Sequence, residues 1–494
     1  MFTPMFPNLA DTYKNIHCDS YPENTEMMVS YLVPRKSMFE NQQKVVVFGI
    51  QAAIKKLKEI ADEWFAKPLS EVIRNYERTM NLQLGPGNYN TDHIEKLHKL
   101  GYLPLNISAL KEGSLVNMGV PILSVESTNG KDFAWLAQWT ECFLQGEIWK
   151  PCNDATIGYM YYKLAKKYYD MTTDGADPRM AASDFGMRGM SCMEEAMKCS
   201  AAWLINFNKT STVPALGWLD YYYNADCSYN HLGIGAVSIE HSVVSSNVAN
   251  GMSERDLIKN LLEQYKNASF SYVADTYDYY DIVDNVLPTL KNEINEHNGK
   301  FLVRPDSGDQ YENVIHTVQK LWETFGGTEN SKGYKVLNPK VGVILGDGCT
   351  LKQVEKIWKK LTEMKFAATN VVFGVGAFCF HAVFENDKMI VSTRDTFGFA
   401  QKTTYIRLTN GEQRFVVKDP KTDTDKLKKS HKGLIYVEKT EDGYSAIDGL
   451  DNIDYPKLDA KKPDELSMIF INGNLVNRQT LLDIRSRLEK EENC

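Results

Sequence analysis

The middle of the chain repeats one pattern: a short apolar run, a polar or glycine stop, then a segment with helical spacing. The runs are Ile234–His241, Phe270–Asp275, Phe301–Asp306, Val341–Asp347 and Val371–Gly376. Helices are expected between them at Asp256–Lys266, Tyr311–Phe325 and Leu351–Met364. In the first, Leu257, Leu261, Leu262 and Tyr265 fall on one face. Alternation of this kind marks a parallel α/β architecture. Segments around Asp184–Gly189 and Asn206–Ser211 extend the series. Seven such units would close on themselves, so the expected fold is an irregular TIM-like βα barrel. In barrels the polar residues at strand C-termini line the active site.

The flanks lack this rhythm. Residues 1–150 mix strands and helices. Residues 385–494 carry β-like runs at Thr404–Leu408 and Arg414–Val417 around the turn Asn410-Gly411. The expected organisation is therefore a barrel over 151–384 and one discontinuous α+β domain from 1–150 and 385–494. Lys418–Lys432, rich in Lys and Asp, reads as a solvated loop. With 494 residues and 43% hydrophobic content there is ample apolar material for two cores. The net charge of −8 argues against a nucleic-acid partner, because phosphate neutralisation needs a basic field. Nine scattered cysteines without a CxxC pair read as reduced thiols in a cytoplasmic setting. Neither a signal peptide nor a membrane span is expected.

Several strand ends carry chemistry. Arg304-Pro305-Asp306-Ser307-Gly308 offers a guanidinium fork for an anion, an acid for hydroxyls or a metal, and a helix start. Gly346-Asp347-Gly348 places an acid between two residues that let a ligand approach the backbone. Gly374-Val375-Gly376-Ala377 lacks the third glycine of a dinucleotide fingerprint but suits a phosphate-cradling turn. Glu240-His241 pairs a carboxylate with a histidine able to act as base or as nucleophile towards phosphate. Asp275 adds a further acid. Asp184-Phe185-Gly186 resembles the kinase metal motif, but the glycine-rich and His-Arg-Asp loops are missing. Phe185 followed by Arg188 suits a flat ring with an anion nearby; core packing of Phe185 is the other reading. Carboxylates at strand ends would also serve a glycoside hydrolase, but the arginines and phosphate-suited glycines argue otherwise.

The order of these motifs resembles the nicotinamide phosphoribosyltransferase family, type II phosphoribosyltransferases. The likeness runs through Asp11-Thr12-Tyr13-Lys14, Asp184-Phe185-Gly186-Met187-Arg188-Gly189, Glu240-His241-Ser242, Asp275-Thr276-Tyr277-Asp278, Arg304 to Gly308, Thr328 to Lys335, Gly346-Asp347-Gly348, Thr393-Arg394-Asp395 and Lys418-Asp419-Pro420. The resemblance implies a homodimer with shared active sites. Phe185 would stack on one face of the pyridine ring and Tyr13 of the partner subunit on the other. Arg188 and Arg304 would bind diphosphate or the ring amide. Asp306 and Asp347, beside Gly346, would hold ribose hydroxyls. Gly376, Ala377 and Arg394 would hold the 5′-phosphate. Arg35, Lys402 and Lys418, with Lys426 a further candidate, would surround the diphosphate. Mg²⁺ would accompany it, and ATP as co-substrate would phosphorylate His241. The implied reaction joins nicotinamide to 5-phosphoribosyl 1-diphosphate, giving nicotinamide mononucleotide for NAD salvage.

The chain departs from the family at four points. Ser211 stands where the family has an amide-selecting Asp, so nicotinate is the alternative substrate: a carboxylate would repel the acid and a serine would not. Gly235 replaces a common serine near the ring amide. Ala377 replaces a glycine of the phosphate turn, and Gly342 an arginine.

Overall fold

The computed structural model describes residues 5–423 and 428–492. Lys426 and Cys494 lie outside them. The chain divides into two units: Met1–Thr156 with Leu219–Ala225 and Ser392–Cys494, and Ile157–Trp218 with Asp226–Val391.

The second unit is built on seven strands: β1 (Ala182–Asp184), β2 (Lys209–Thr210), β3 (Val237–Ser238), β4 (Phe270–Val273), β5 (Phe301–Arg304), β6 (Val341–Leu345) and β7 (Val371–Val375). They pair in the order β2-β1-β7-β6-β5-β4-β3, and every pairing is parallel. One further parallel bridge links Lys209 on edge strand β2 to Ile234, just upstream of β3 at the opposite edge. Buried strands explain the apolar runs: β4 and β6 are buried along their whole length, as expected for a parallel sheet covered on its faces.

Helices follow the strands as the periodicity requires. They include α1 (Met193–Trp203), α2 (His241–Ala249), α3 (Glu254–Gln264), α4 (Gln310–Phe325) and α5 (Leu351–Glu363). In α5, Val354, Ile357, Trp358 and Leu361 form the buried stripe. Three starts are set by side-chain caps: Ser253 accepts from the Asp256 amide, Asp309 from those of Tyr311 and Glu312, and Thr350 from that of Gln353. The Ser253 cap starts α3 two residues before the expected position. The expected run Ile234–His241 contracts to the two-residue β3. His231 and Gly233 just before it have positive φ, and Glu240 already stands at the N-cap position of α2.

The first unit holds a seven-stranded antiparallel sheet. Its order is Gln413–Phe415, Ala400–Leu408, Thr25–Val33, Leu123–Ser127, Leu105–Ala109, Ser467–Ile471 and Asn474–Leu475. The hairpin at Asn410-Gly411 forms as the sequence indicates, with Tyr405 opposite Phe415 and Gly411 at φ 84°. No helix among the described residues is long and apolar enough to cross a membrane.

Candidate active site

The strand ends of the second unit bring several expected residues together. His241 opens α2, which places its imidazole at the rim. Its Nδ1 lies 3.1 Å from Thr276 Oγ1, and its Nε2 lies 3.8 Å from Asp275 Oδ1 and 3.4 Å from Asp306 Oδ2. The ring is half exposed, while Asp275 is almost fully buried. Asp275 Oδ1 is buried without a hydrogen-bond partner, as is Nε of Arg304. Arg304 ends β5 and donates through Nη2 to the Ile239 carbonyl at 2.9 Å; its Nε stands 4.0 Å from Asp306 Oδ1. Burial pulls the Arg304 guanidinium below its usual range and Arg188 adds to this, while Asp306, Asp275 and Glu240 oppose it. Buried polar atoms are normally satisfied. An orphaned anionic oxygen and an orphaned guanidinium nitrogen in one place therefore suit a polar ligand.

Phe185 follows β1, and its amide donates to the Val375 carbonyl at 2.8 Å. Two glycines seat its ring. A methyl group on Gly374 would lie 2.2 Å from Cδ2 and Cε2 of Phe185, inside any permitted contact. A methyl on Gly346 would meet Asp306 Oδ1 at 3.2 Å, Arg304 Cδ at 3.4 Å and Phe185 Cε2 at 3.7 Å. Gly346 is thus where the ring, the acid and the guanidinium meet. The sequence marked Gly374 only as part of a phosphate turn; its role as ring seat has no local signal.

Asp184 is fully enclosed. Its carboxylate accepts from the Gly186 amide at 2.7 Å, Thr210 Oγ1 at 2.9 Å and Thr212 Oγ1 at 2.7 Å. It fixes the Phe185–Gly189 turn and the Thr210–Thr212 loop together. Ser211, exposed at the end of β2, donates its amide to the Asp184 carbonyl at 2.9 Å. Arg188 is exposed on the short turn Met187–Gly189. Ala377 packs on that turn: a methyl on Gly189 would fall 2.4 Å from Ala377 Cβ. Its φ of −55° is one any residue adopts, which is why alanine is tolerated there. Gly376 is open, with no atom near a methyl placed on it. Asp347 is exposed in the turn after β6.

The remaining expected residues belong to the first unit. Arg35, Lys402 and Lys418 line a cavity of ≈160 Å³, together with Lys428, Lys429 and His431. Lys418, Lys428, Lys429 and His431 thus border a cavity within the stretch that the sequence reads as a solvated loop. Lys428, Lys429 and His431 were missed because only folding brings them to Arg35. Arg35 donates from Nε to the Gly398 carbonyl at 2.9 Å; burial, then the Arg394 charge, lowers its pKa. Lys402 is paired with Glu141 at 2.7 Å, and Glu141 also holds Lys14 at 2.6 Å. Arg394 is engaged by Asp395 through Nε and Nη2 at 3.1 and 2.7 Å. Tyr13 is 49% exposed on the short helix Thr12–Asn15.

Residues 180–454 match the nicotinate phosphoribosyltransferase family, and residues 6–68 match the N-terminal domain of nicotinamide phosphoribosyltransferase. The chain belongs to the nicotinate phosphoribosyltransferase family. It is 35% identical to the nicotinamide phosphoribosyltransferase of Acinetobacter baylyi, over 98% of this chain and 97% of that one. It is 29% identical to the nicotinamide phosphoribosyltransferase of Xanthomonas campestris pv. campestris, over 97% of each. Two solved structures share the fold. Nicotinate-nucleotide pyrophosphorylase from Pyrococcus furiosus has a TM-score of 0.59 at 15% identity, covering 99% of this chain and 95% of that one. Human nicotinic acid phosphoribosyltransferase has a TM-score of 0.57 at 12% identity, covering 98% and 93%. The resemblance read from the motif order is thus borne out at the level of the family.

Proposed function

We propose that this chain transfers the phosphoribosyl group of 5-phosphoribosyl 1-diphosphate to nicotinamide, giving nicotinamide mononucleotide and diphosphate for NAD salvage. The observation that carries the reading is the Phe185 ring seated over Gly374, with its edge, Arg304 and Asp306 all bordering Gly346. Phe185 stacks on the pyridine and holds its nitrogen in line with ribose C1. Asp306 and Asp347 take the ribose hydroxyls, and Gly376 and Ala377 the 5′-phosphate. When the C1–O bond to diphosphate breaks, C1 gains oxocarbenium character and the departing oxygens gain charge. Arg304 and Arg188 stabilise that charge. The pyridine nitrogen attacks the opposite face, so C1 inverts.

Mg²⁺ belongs to this reading as a companion of the diphosphate. The orphaned Asp275 oxygen and the Asp306 carboxylate are hard donors that suit it. When bound, it would neutralise part of the diphosphate charge. With a proton on Nε2 facing the two acids, His241 keeps a lone pair on Nδ1, capped by the Thr276 hydroxyl. That nitrogen would accept the γ-phosphoryl of ATP, with ADP leaving. His241→Ala should abolish ATP stimulation and leave slow basal transfer; equal loss of both, measured by product formation with and without ATP, would contradict the role.

The parallel sheet is read as an irregular barrel, closed through the Lys209–Ile234 bridge. A homodimer would bring Tyr13 of a partner subunit to the second face of the pyridine; the exposure of Tyr13 supports this. A cytoplasmic setting fits the eight described cysteines, none of which is in a disulfide. Nicotinate is the second reading, favoured by Ser211 in place of a carboxylate. Purified protein with the diphosphate donor, Mg²⁺ and equal nicotinamide and nicotinate decides both points. Mononucleotide of the amide should dominate; no nucleotide of either base at high enzyme concentration would refute the transfer.

A further inference from the structure

A short helix that presents one ring needs its other side chains tied down. Thr12–Asn15 is a 3₁₀ helix, with about three residues per turn, so Tyr13, Lys14 and Asn15 point in three directions. Lys14 and Asn15 are buried, at 4% and 2% exposure, and Tyr13 is left at the surface. Asn15 is held by uncharged groups: its Oδ1 accepts from Trp139 Nε1 at 3.0 Å and its carbonyl from the Tyr76 hydroxyl at 3.2 Å. Lys14 is held by charge. Its ammonium donates to Glu141 Oε2 at 2.6 Å and to the Gln138 carbonyl at 3.0 Å, and it stands 5.8 Å from the centre of the Tyr13 ring. Among the described residues Glu141 is its only acid partner.

Glu141 opens the helix Glu141–Thr172 and is mostly enclosed. Gln138 Nε2 donates to the same Oε2 at 2.7 Å, and Lys402 takes Oε1 at 2.7 Å. Gln138 is fixed in turn by the Ser30 and Thr403 hydroxyls, each 2.9 Å from its Oε1. Burial pushes the Glu141 carboxyl up; the bonds from Lys14 and Lys402 outweigh it and hold the group below its usual range. Glu141 is thus a carboxylate between two ammonium groups. A buried ammonium that loses its carboxylate is strongly unfavourable, so without the Glu141 charge Lys14 would be driven outward, past the Tyr13 ring beside it.

We propose that Glu141 is a positioning residue for nicotinamide: by anchoring Lys14 it sets the direction in which Tyr13 leaves the surface. The proposal rests on the reading that Tyr13 meets the pyridine bound by a partner subunit. Glu141 touches no substrate in this role and acts through Lys14 alone.

The test is steady-state kinetics of the full-length protein. Glu141→Gln by itself strands the Lys14 ammonium, whereas removing both partners of a buried pair is far milder. The clamp variants are therefore Lys14→Met, which leaves Glu141 paired with Lys402, and Lys14→Met/Glu141→Gln. Each is made with and without Tyr13→Ala. Both should raise the nicotinamide KM roughly two- to fivefold, up to the value that loss of the stacking ring gives. In Lys14→Met the Tm and the KM for the phosphoribosyl donor should stay at the wild-type values. In the Tyr13→Ala background the same changes should add nothing, because residues that act through one another are not additive. An unchanged nicotinamide KM in both clamp variants, or a rise that multiplies with that of Tyr13→Ala, overturns the proposal. A fall in Tm with both KM values rising together marks a merely structural role and overturns it too. A wild-type nicotinamide KM in Tyr13→Ala alone refutes the shared-site reading and the clamp with it, a signature that none of the other outcomes shares.

Discussion

Single atoms decide the ring site. Gly374 has no room for a methyl, so Gly374→Ala must push the Phe185 ring aside. Stacking of this kind contributes about 1 kcal/mol. The nicotinamide KM of Gly374→Ala should therefore rise roughly fivefold or more, with kcat less affected. An unchanged KM would mean the ring is only core. In the proposed transfer, Ser211 is the residue that would decide between acid and amide. Ser211→Asp puts a carboxylate where nicotinate would bring its own, and such like-charge contacts cost several-fold in affinity or more. The ratio of kcat/KM for nicotinamide over nicotinate should rise roughly tenfold, and a constant ratio would remove Ser211 from the pocket. Not all of this is legible in the sequence. His241, Asp275, Asp306 and Arg304 stand out as polar stops after apolar runs, and folding gathers them. The ring-seating function of Gly374, and the space that Gly342 leaves for Lys300, depend on neighbours tens of residues away and leave no local trace.

Elements start and stop where local chemistry tells them to, and one start carries a pH signature. Glu112 is fully buried at the head of the helix Ile50–Phe65. It accepts from the Gly49 amide at 2.8 Å, the Gln51 amide at 2.5 Å and the Tyr223 hydroxyl at 2.9 Å. Burial outweighs these donors and raises the carboxyl to about 7. The folded state thus binds this proton more tightly than the unfolded state. The stabilisation is fully present below the ordinary carboxyl pKa of about 4.5 and is lost as pH rises through 7. Each pH step between those two values removes roughly 1.4 kcal/mol. Glu112→Gln cannot titrate, so the Tm of wild type relative to this variant should fall between about pH 4.5 and 7.5. Parallel curves would place the proton elsewhere. Helix stripes such as Val354, Ile357, Trp358 and Leu361 are readable because burial repeats with the helix period. Strand β3 is not: its apolar run reads as eight residues, but the positive-φ backbone before it and the helix N-cap position at Glu240 leave only two.

At the scale of the molecule, the parallel sheet with helices between its strands follows from the alternation of the sequence, and the antiparallel sheet of the first unit from its period-two runs. The number of βα units could be read from the sequence, but the parallel bridge from Lys209 to Ile234 could not, because only strand pairing defines it. The proposed shared site makes an assembly-level prediction. Tyr13→Ala and Phe185→Ala, each impaired alone, should complement when co-expressed. Random pairing of two subunit types leaves about a quarter of the sites intact, so roughly a quarter of wild-type activity should return. No recovery in isolated mixed dimers would confine each site to one subunit. The most direct measurement is a crystal structure of the protein soaked with nicotinamide mononucleotide. The pyridine should lie on Phe185 above Gly374, with the ribose hydroxyls at Asp306 and Asp347. A nucleotide bound elsewhere, with that aromatic face left bare, would contradict the proposed transfer site.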